Sequence, residues 1–221
     1  GGMGKTTLAL AVFNLIPINL KVHVSLKMHE KMKCGLPYLQ KTILSKLVEE
    51  KVELTSIPQG ISMIRQRFRQ KKLLLILDDV SELEQLQAIA GKHEWFGPGS
   101  RVIITTRDNR LLTCHGVEST YEVKELYEID AFELLRQKAF KTSEVSSGYL
   151  DVLKRAVTYA SGHPLALEVI RSHFFNKTIN QCILLRSLGK EEGPDKKIQT
   201  ILQMSFDALN EEDKSVFPDI A

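Results

Sequence analysis

A chain of 221 residues with 43% hydrophobic and 26% charged residues has the composition of an ordinary soluble globular protein, long enough for one large domain or two to three small ones. Its net charge of +3 is too weak to argue for a nucleic-acid partner, and the excess sits in the first 125 residues. Cys34, Cys114 and Cys182, odd in number, far apart and without C-x-x-C spacing, exclude a disulfide framework and a cysteine zinc site and read as reduced thiols of a cytosolic protein; no apolar run approaches a membrane span.

The first seven residues, Gly1-Gly2-Met3-Gly4-Lys5-Thr6-Thr7, describe a phosphate-binding loop. Glycines let successive N–H groups turn inward at an anion, Lys5 can reach the β- and γ-phosphates, and the Thr6 hydroxyl can ligate Mg²⁺. The full pattern has an earlier glycine, which would fall one residue before Gly1, so the chain is expected to be a fragment that starts inside its motif, without the apolar strand that leads into such loops. Residues Thr6 to about Leu15 read as a helix whose N-terminus favours phosphate, with Leu8, Ala11, Val12 and Leu15 on one face and Pro17 ending it.

Val22 to Leu26 alternates as a strand, Leu39 to about Val48 has helical spacing, and residues 51–60 read as a loop. Ile61, Ile64 and Phe68 mark a further helix that ends in the basic run Arg65 to Lys72. With Phe68 alone there is no aromatic platform for bases, and the run reads as a solvated helix face. Leu73-Leu74-Leu75-Ile76-Leu77 is a continuous apolar run of strand length that suits a parallel strand buried on both faces, and it ends in Asp78-Asp79. This is the pattern of a Walker B strand: Asp78 would orient Mg²⁺ and Asp79 would position or deprotonate an attacking water. The competing structural reading makes Asp79, with Glu82, a cap for the next helix.

That helix is expected over Glu82 to Ala90, followed by a turn-rich patch His93 to Ser100 and a second buried strand, Arg101 to Asp108. Arg107 at its end can sense a γ-phosphate, because a guanidinium pairs bidentately with phosphate oxygens; the alternative is a salt bridge to Asp108 or another loop acid. Tyr121 to Leu126 alternates as a last strand. From Ile129 onward the pattern is helical: Ala131 to Phe140, Tyr149 to Tyr159 and Leu165 to about Phe174, with Gly162 stopping one helix and Pro164 starting the next. Two more helices are expected from Ile198 to Leu209 and from Glu211 onward, and the chain stops within the apolar run Val216 to Ala221.

In this order and spacing GGMGKTTLA, LLLILDDV, EQLQAIAG with WFGPGSRVIITTRD, YEVKEL with AFELLRQKAF, GHPLALEVI, and ILQMSFDAL before VFPDIA resemble the nucleotide-binding NB-ARC domain of plant TIR-class NB-LRR disease-resistance proteins. The resemblance covers the whole chain. It implies an α/β fold: a P-loop NTPase parallel sheet (1–126, its lead-in strand missing), then a helical bundle (127–193) and the start of a winged-helix domain (194–221), folded around ADP. The missing strand would lie between the strand ending at Arg107 and the one at Tyr121 to Leu126. By the same resemblance Gly2, Met3, Gly4, Lys5, Thr6 and Thr7 hold the nucleotide phosphates, Thr6 and Asp78 the Mg²⁺, Asp79 and Arg107 serve hydrolysis and γ-phosphate sensing, and Pro164 packs on the adenine and ribose. The sequence departs from the family pattern at Ser81, His163, Arg171, Gln181-Cys182 and Pro218.

The function implied is an ADP/ATP switch of an intracellular, cytoplasmic immune receptor, with slow hydrolysis restoring the ADP state. Its partners would be the adenine nucleotide, flanking TIR and leucine-rich-repeat domains and, on activation, further copies of itself, with no direct contact to nucleic acid or membrane. The alternative is a conventional P-loop ATPase whose turnover drives work. Turnover separates the two, since a switch should hydrolyse far below the roughly 1–100 s⁻¹ of ordinary enzymes.

Overall fold

The computed structural model describes residues 2–16, 22–27, 35–48, 52–139, 147–174 and 203. The helices expected from Ile198 and Glu211, the segment 194–221 apart from Gln203, and the positions Cys34, Gln181, Cys182 and Pro218 lie outside the described residues. The chain divides into two compact units, one of Lys5–Glu122 and one of Gly1–Gly4 with Val123–Ala221.

The first unit is built on a parallel sheet of three strands among the described residues: β1 (Val22–Lys27), β2 (Leu73–Val80) and β3 (Arg101–Thr106), in that spatial order. β2 is central and buried from Leu73 to Asp78, which is why it could be written as an unbroken apolar run. Around it stand α1 (Lys5–Leu15), α2 (Gly35–Val48), α3 (Ile57–Phe68) and α4 (Leu83–Ala90). Leu39, Ile43 and Leu44 of α2, Ile64 and Phe68 of α3 and Leu86 and Ile89 of α4 close over the sheet without solvent exposure. Phe68, inside the basic run, is therefore core, stacked on Phe96 with ring centroids 5.5 Å apart. Arg65 of the same run lies over the Trp95 ring at 5.8 Å, a cation–π contact on the surface of this core.

Two polar side chains, buried Gln40 and half-buried Ser100, tie elements together by hydrogen bonds. Gln40 of α2 donates Nε2 to the carbonyls of Ile57 and Ala88, joining α2 to α3 and α4. Ser100 accepts from the Leu73 amide and donates to the Gly97 carbonyl, which fixes the entry of β2 against the turn before β3.

Three expectations are corrected here, and one element is added. The face Leu8, Ala11, Val12 and Leu15 of α1 is not buried: only Ala9 is, while Leu8, Val12 and Leu15 are exposed. The helix is apolar nearly all round, so spacing alone could not choose its inner face, and the small Ala9 side permits close approach to a sheet. Tyr121 to Leu126 is not a strand; Tyr121 and Glu122 are exposed, and the Leu126 amide donates instead to the Gly162 carbonyl at 2.9 Å. Asp79 does not cap α4. Glu82 stands at that helix's N-cap, and Gln85 Oε1 accepts from the amides of Ser81 and Glu82. A helix with no counterpart in the sequence reading, α5 (Asn109–His115), follows β3, with Asp108 at its N-cap and Gly116 in left-handed conformation at its end.

The second unit contains α6 (Glu128–Ala139), α7 (Ser147–Ala160) and α8 (Pro164–Phe174). Their apolar faces meet at Ala131, Leu135, Leu153, Val157, Leu167 and Ile170. Between α7 and α8 the chain reverses through Ser161 at φ 49 and Gly162 at φ 74. A Cβ at Gly162 would fall 2.3 Å from the Leu126 carbonyl oxygen, so glycine is required by space as well as by conformation. Pro164 occupies the first helical position, where its missing N–H costs nothing. Among the described residues no helix is long and apolar enough to cross a membrane.

Candidate functional site

The C-terminal ends of β2 and β3 collect the polar residues of the sheet, as parallel sheets do, because the buried strands leave only their ends free to present side chains. α1 starts at Lys5 and lies against β2 and β3, so Thr6 arrives beside the end of β2. Its hydroxyl reaches both oxygens of Asp78, at 2.9 and 3.0 Å. Asp78 is only 4% exposed and is held from a second side by Thr105 of β3, whose hydroxyl donates to Oδ1 at 2.6 Å. The Thr105 oxygen in turn accepts from the Asp79 amide at 2.9 Å.

Asp79 stands at φ 53, in the left-handed region an aspartate enters only when its surroundings hold it there. Its carboxylate receives Arg107 Nε at 3.2 Å and Nη2 at 3.5 Å. Arg107 is thus paired with an acid at the end of β2, Asp79, rather than with its neighbour Asp108. Asp108 binds Arg110 instead: the Arg110 side chain first, and its backbone amide second, hold the Asp108 carboxyl below the usual range. Lys5 is half-buried at the start of α1, and Thr7 is exposed one residue beyond Thr6.

Gly2 and Gly4 have φ of 73 and 82, conformations that turn the backbone as a phosphate loop requires and that favour glycine. Both belong to the second unit, where the Gly2 carbonyl accepts from the Leu165 amide at 3.2 Å and so satisfies one of the open N–H groups at the start of α8. A Cβ at Gly2 would come within 2.7 Å of the His163 ring and of Leu165, while one at Gly4 would meet Pro164 at 3.9 Å. Pro164 therefore stands next to Gly4. Met3 between them is half-buried.

The donor set suits Mg²⁺. A threonine hydroxyl and a carboxylate lie in contact, both hard oxygen donors, and among the described residues no group of three or more His, Cys, Asp or Glu could hold a metal unaided. A cation that keeps its waters and takes further oxygens from a phosphate needs no more than this. The sequence reading identified Thr6, Asp78, Asp79 and Arg107 but passed over Thr105, which touches both acids. A threonine near the end of a β-branched strand carries no signal of its own; only its register opposite Asp78-Asp79 marks it.

The NB-ARC domain family matches residues 1–145. Over its whole length the chain is similar to the disease resistance proteins RUN1 and RPV1 of Vitis rotundifolia, each 36% identical, and to the TMV resistance protein N of Nicotiana glutinosa, 32% identical. It spans 17%, 16% and 20% of the lengths of these relatives.

Proposed function

The chain belongs to the NB-ARC family of P-loop NTPase domains, and on that premise we propose that it is the ADP/ATP-binding switch of an intracellular plant immune receptor, in which the identity of the bound nucleotide is the signal. The observation that carries this reading is the contact of Thr6 with Asp78 at 2.9 and 3.0 Å, which joins the phosphate-loop threonine to the acid of the buried strand. In this reading Gly2, Met3, Gly4, Lys5, Thr6 and Thr7 receive the phosphates. Thr6 and Asp78 hold Mg²⁺, which when bound neutralises charge between the phosphates. Pro164 packs on the adenine and ribose.

Asp79 would orient the attacking water, and Arg107 would recognise the γ-phosphate. Their mutual ion pair supports a switch over a conventional ATPase: with Arg107 on its carboxylate, Asp79 is occupied, and hydrolysis waits for the pair to open. The proposal extends to a cytoplasmic receptor of the TIR class with leucine-rich repeats, divided as 1–126, 127–193 and 194–221, which self-associates once ATP replaces ADP.

Titration of the full chain with Mg²⁺·ADP, beside a thermal melt, tests the reading through Lys5→Ala. Loss of a charged phosphate contact should weaken ADP on the order of 100-fold while the melt is kept. Undiminished binding by that variant excludes a phosphate role for the loop.

A further inference from the structure

We propose that Thr105 is the positioning residue that aims both acids of the site, an inference that rests on the nucleotide reading and deepens it. The β2–β3 ladder runs in step from Leu74 opposite Arg101 to Leu77 opposite Ile104 and resumes with Val80 opposite Thr106. Asp78 and Asp79 together therefore stand opposite Thr105 alone. Two residues facing one is a β-bulge, a device that re-aims side chains and leaves the additional residue outside the ladder.

The Asp79 amide, shifted out of the ladder, finds its acceptor in the Thr105 side chain at 2.9 Å. A hydroxyl has a single proton. With its oxygen accepting from that amide, Thr105 directs the proton to Asp78 Oδ1 at 2.6 Å. One side chain thus holds the backbone of Asp79 in its left-handed turn and the carboxylate of Asp78 in its rotation.

The consequence for a divalent cation is an unequal carboxylate. Among the described residues Oδ1 of Asp78 accepts from Thr105 and shares the single Thr6 proton with Oδ2, whereas Oδ2 has that shared proton only. Thr105 occupies the oxygen that faces β3 and leaves Oδ2 with acceptor capacity toward Mg²⁺ of a bound nucleotide. At 8% exposure Thr105 is largely shielded from bulk water, so no solvent molecule readily replaces its hydroxyl.

The test compares the full chain with Thr105→Val, which keeps the β-branched shape and removes the hydroxyl, and with Thr105→Ser, which restores it. Each is titrated with ADP in the presence of Mg²⁺ and again in EDTA, beside a thermal melt. Thr105→Val should bind Mg²⁺·ADP about tenfold more weakly, the lower end of what removing a hydrogen-bond partner of a metal ligand does. Its binding of metal-free ADP should be unchanged, and Thr105→Ser should recover the Mg²⁺ dependence. Equal losses with and without the metal, no loss at all, or failure of the serine to rescue would overturn the inference. If the valine variant does not fold, the serine variant decides: a folded Thr105→Ser with weakened Mg²⁺·ADP binding overturns the inference, and one that binds as the unmodified chain supports it. An unmodified chain that binds no ADP overturns the nucleotide reading itself, an outcome distinct from an unmodified chain and a Thr105→Val variant that bind alike.

Discussion

Arg107 and Asp79 face each other at the end of the sheet, with two nitrogens of the guanidinium directed at the two oxygens of the carboxylate, at 3.2 and 3.5 Å. The residue suited to recognise a terminal phosphate is thereby bound to the residue suited to hold a water. The arginine side chain is 67% exposed, so the pair sits in water and contributes at most about 1 kcal/mol to stability. A phosphate with more negative charge than a carboxylate can compete for it.

Arg107→Ala should consequently separate the two nucleotides. Affinity for a non-hydrolysable ATP analogue is expected to fall about tenfold or more, as for loss of a charged hydrogen bond, with ADP affinity and melting temperature unchanged. Calorimetric titration with both ligands decides it; an equal effect on ADP and on the analogue is incompatible with γ-phosphate sensing.

Asp79→Asn keeps the size of the side chain and removes its charge. Single-turnover hydrolysis should slow by about 10²–10⁴-fold, the range for loss of a positioned acid–base group, while Mg²⁺·ADP binding through Thr6 and Asp78 persists. A variant that hydrolyses ATP at the unmodified rate removes Asp79 from the reaction.

Gly60→Ala reverses an ordinary rule. In a helix interior the substitution usually stabilises by about 0.5–1 kcal/mol, but a Cβ here would lie 2.0 Å from Gln40 Oε1. Gln40 cannot swing aside without giving up its bonds to Ile57 and Ala88. A net loss of about 1–3 kcal/mol, typical of overpacking, should appear as a lower urea midpoint at constant slope. An unchanged or higher midpoint would show that the Gln40 bridge yields freely.

Asp108 predicts a response to acid. Its folded pKa is lowered, by the Arg110 side chain and then the Arg110 amide. The contribution to stability is therefore fully present above the unfolded carboxylate value, about 3.9, and is lost as pH falls through the folded value. Asp108→Asn should remove part of the acid-side decline in thermal stability below about pH 4 and leave the alkaline side untouched. Melts across that range give the comparison, and parallel curves for the two proteins would contradict it.

What could be read from the sequence tracks how far each signal depends on a partner. The run Leu73 to Leu77 announced its own burial, because a strand covered on both faces has no polar position to alternate. That Thr6 meets Asp78 and Arg107 lies beside Asp79 could be anticipated because these residues occupy motif positions. Tyr121 to Leu126 has the alternation of a strand, yet alternation needs a neighbouring ladder, and Leu126 pairs with Gly162 instead. α5 has no fully buried residue, only Leu111 packed in part against the core, and so has no periodic core signal. Its caps, Asp108 before and Gly116 after, were the available clue. The β2–β3 bulge could not be foreseen, since a register belongs to two strands and neither sequence states it alone.

Trp95 is the single tryptophan of the chain, 8% exposed and set in the core of the sheet-containing unit beneath Arg65. Its placement turns it into a built-in optical probe. Indole emission reports the state of that unit alone, because the helical unit contributes no tryptophan of its own. Far-ultraviolet dichroism averages over the helices of both. Following the two signals through one denaturation therefore shows whether the units melt as one cooperative block or in succession, with no label added and no residue changed.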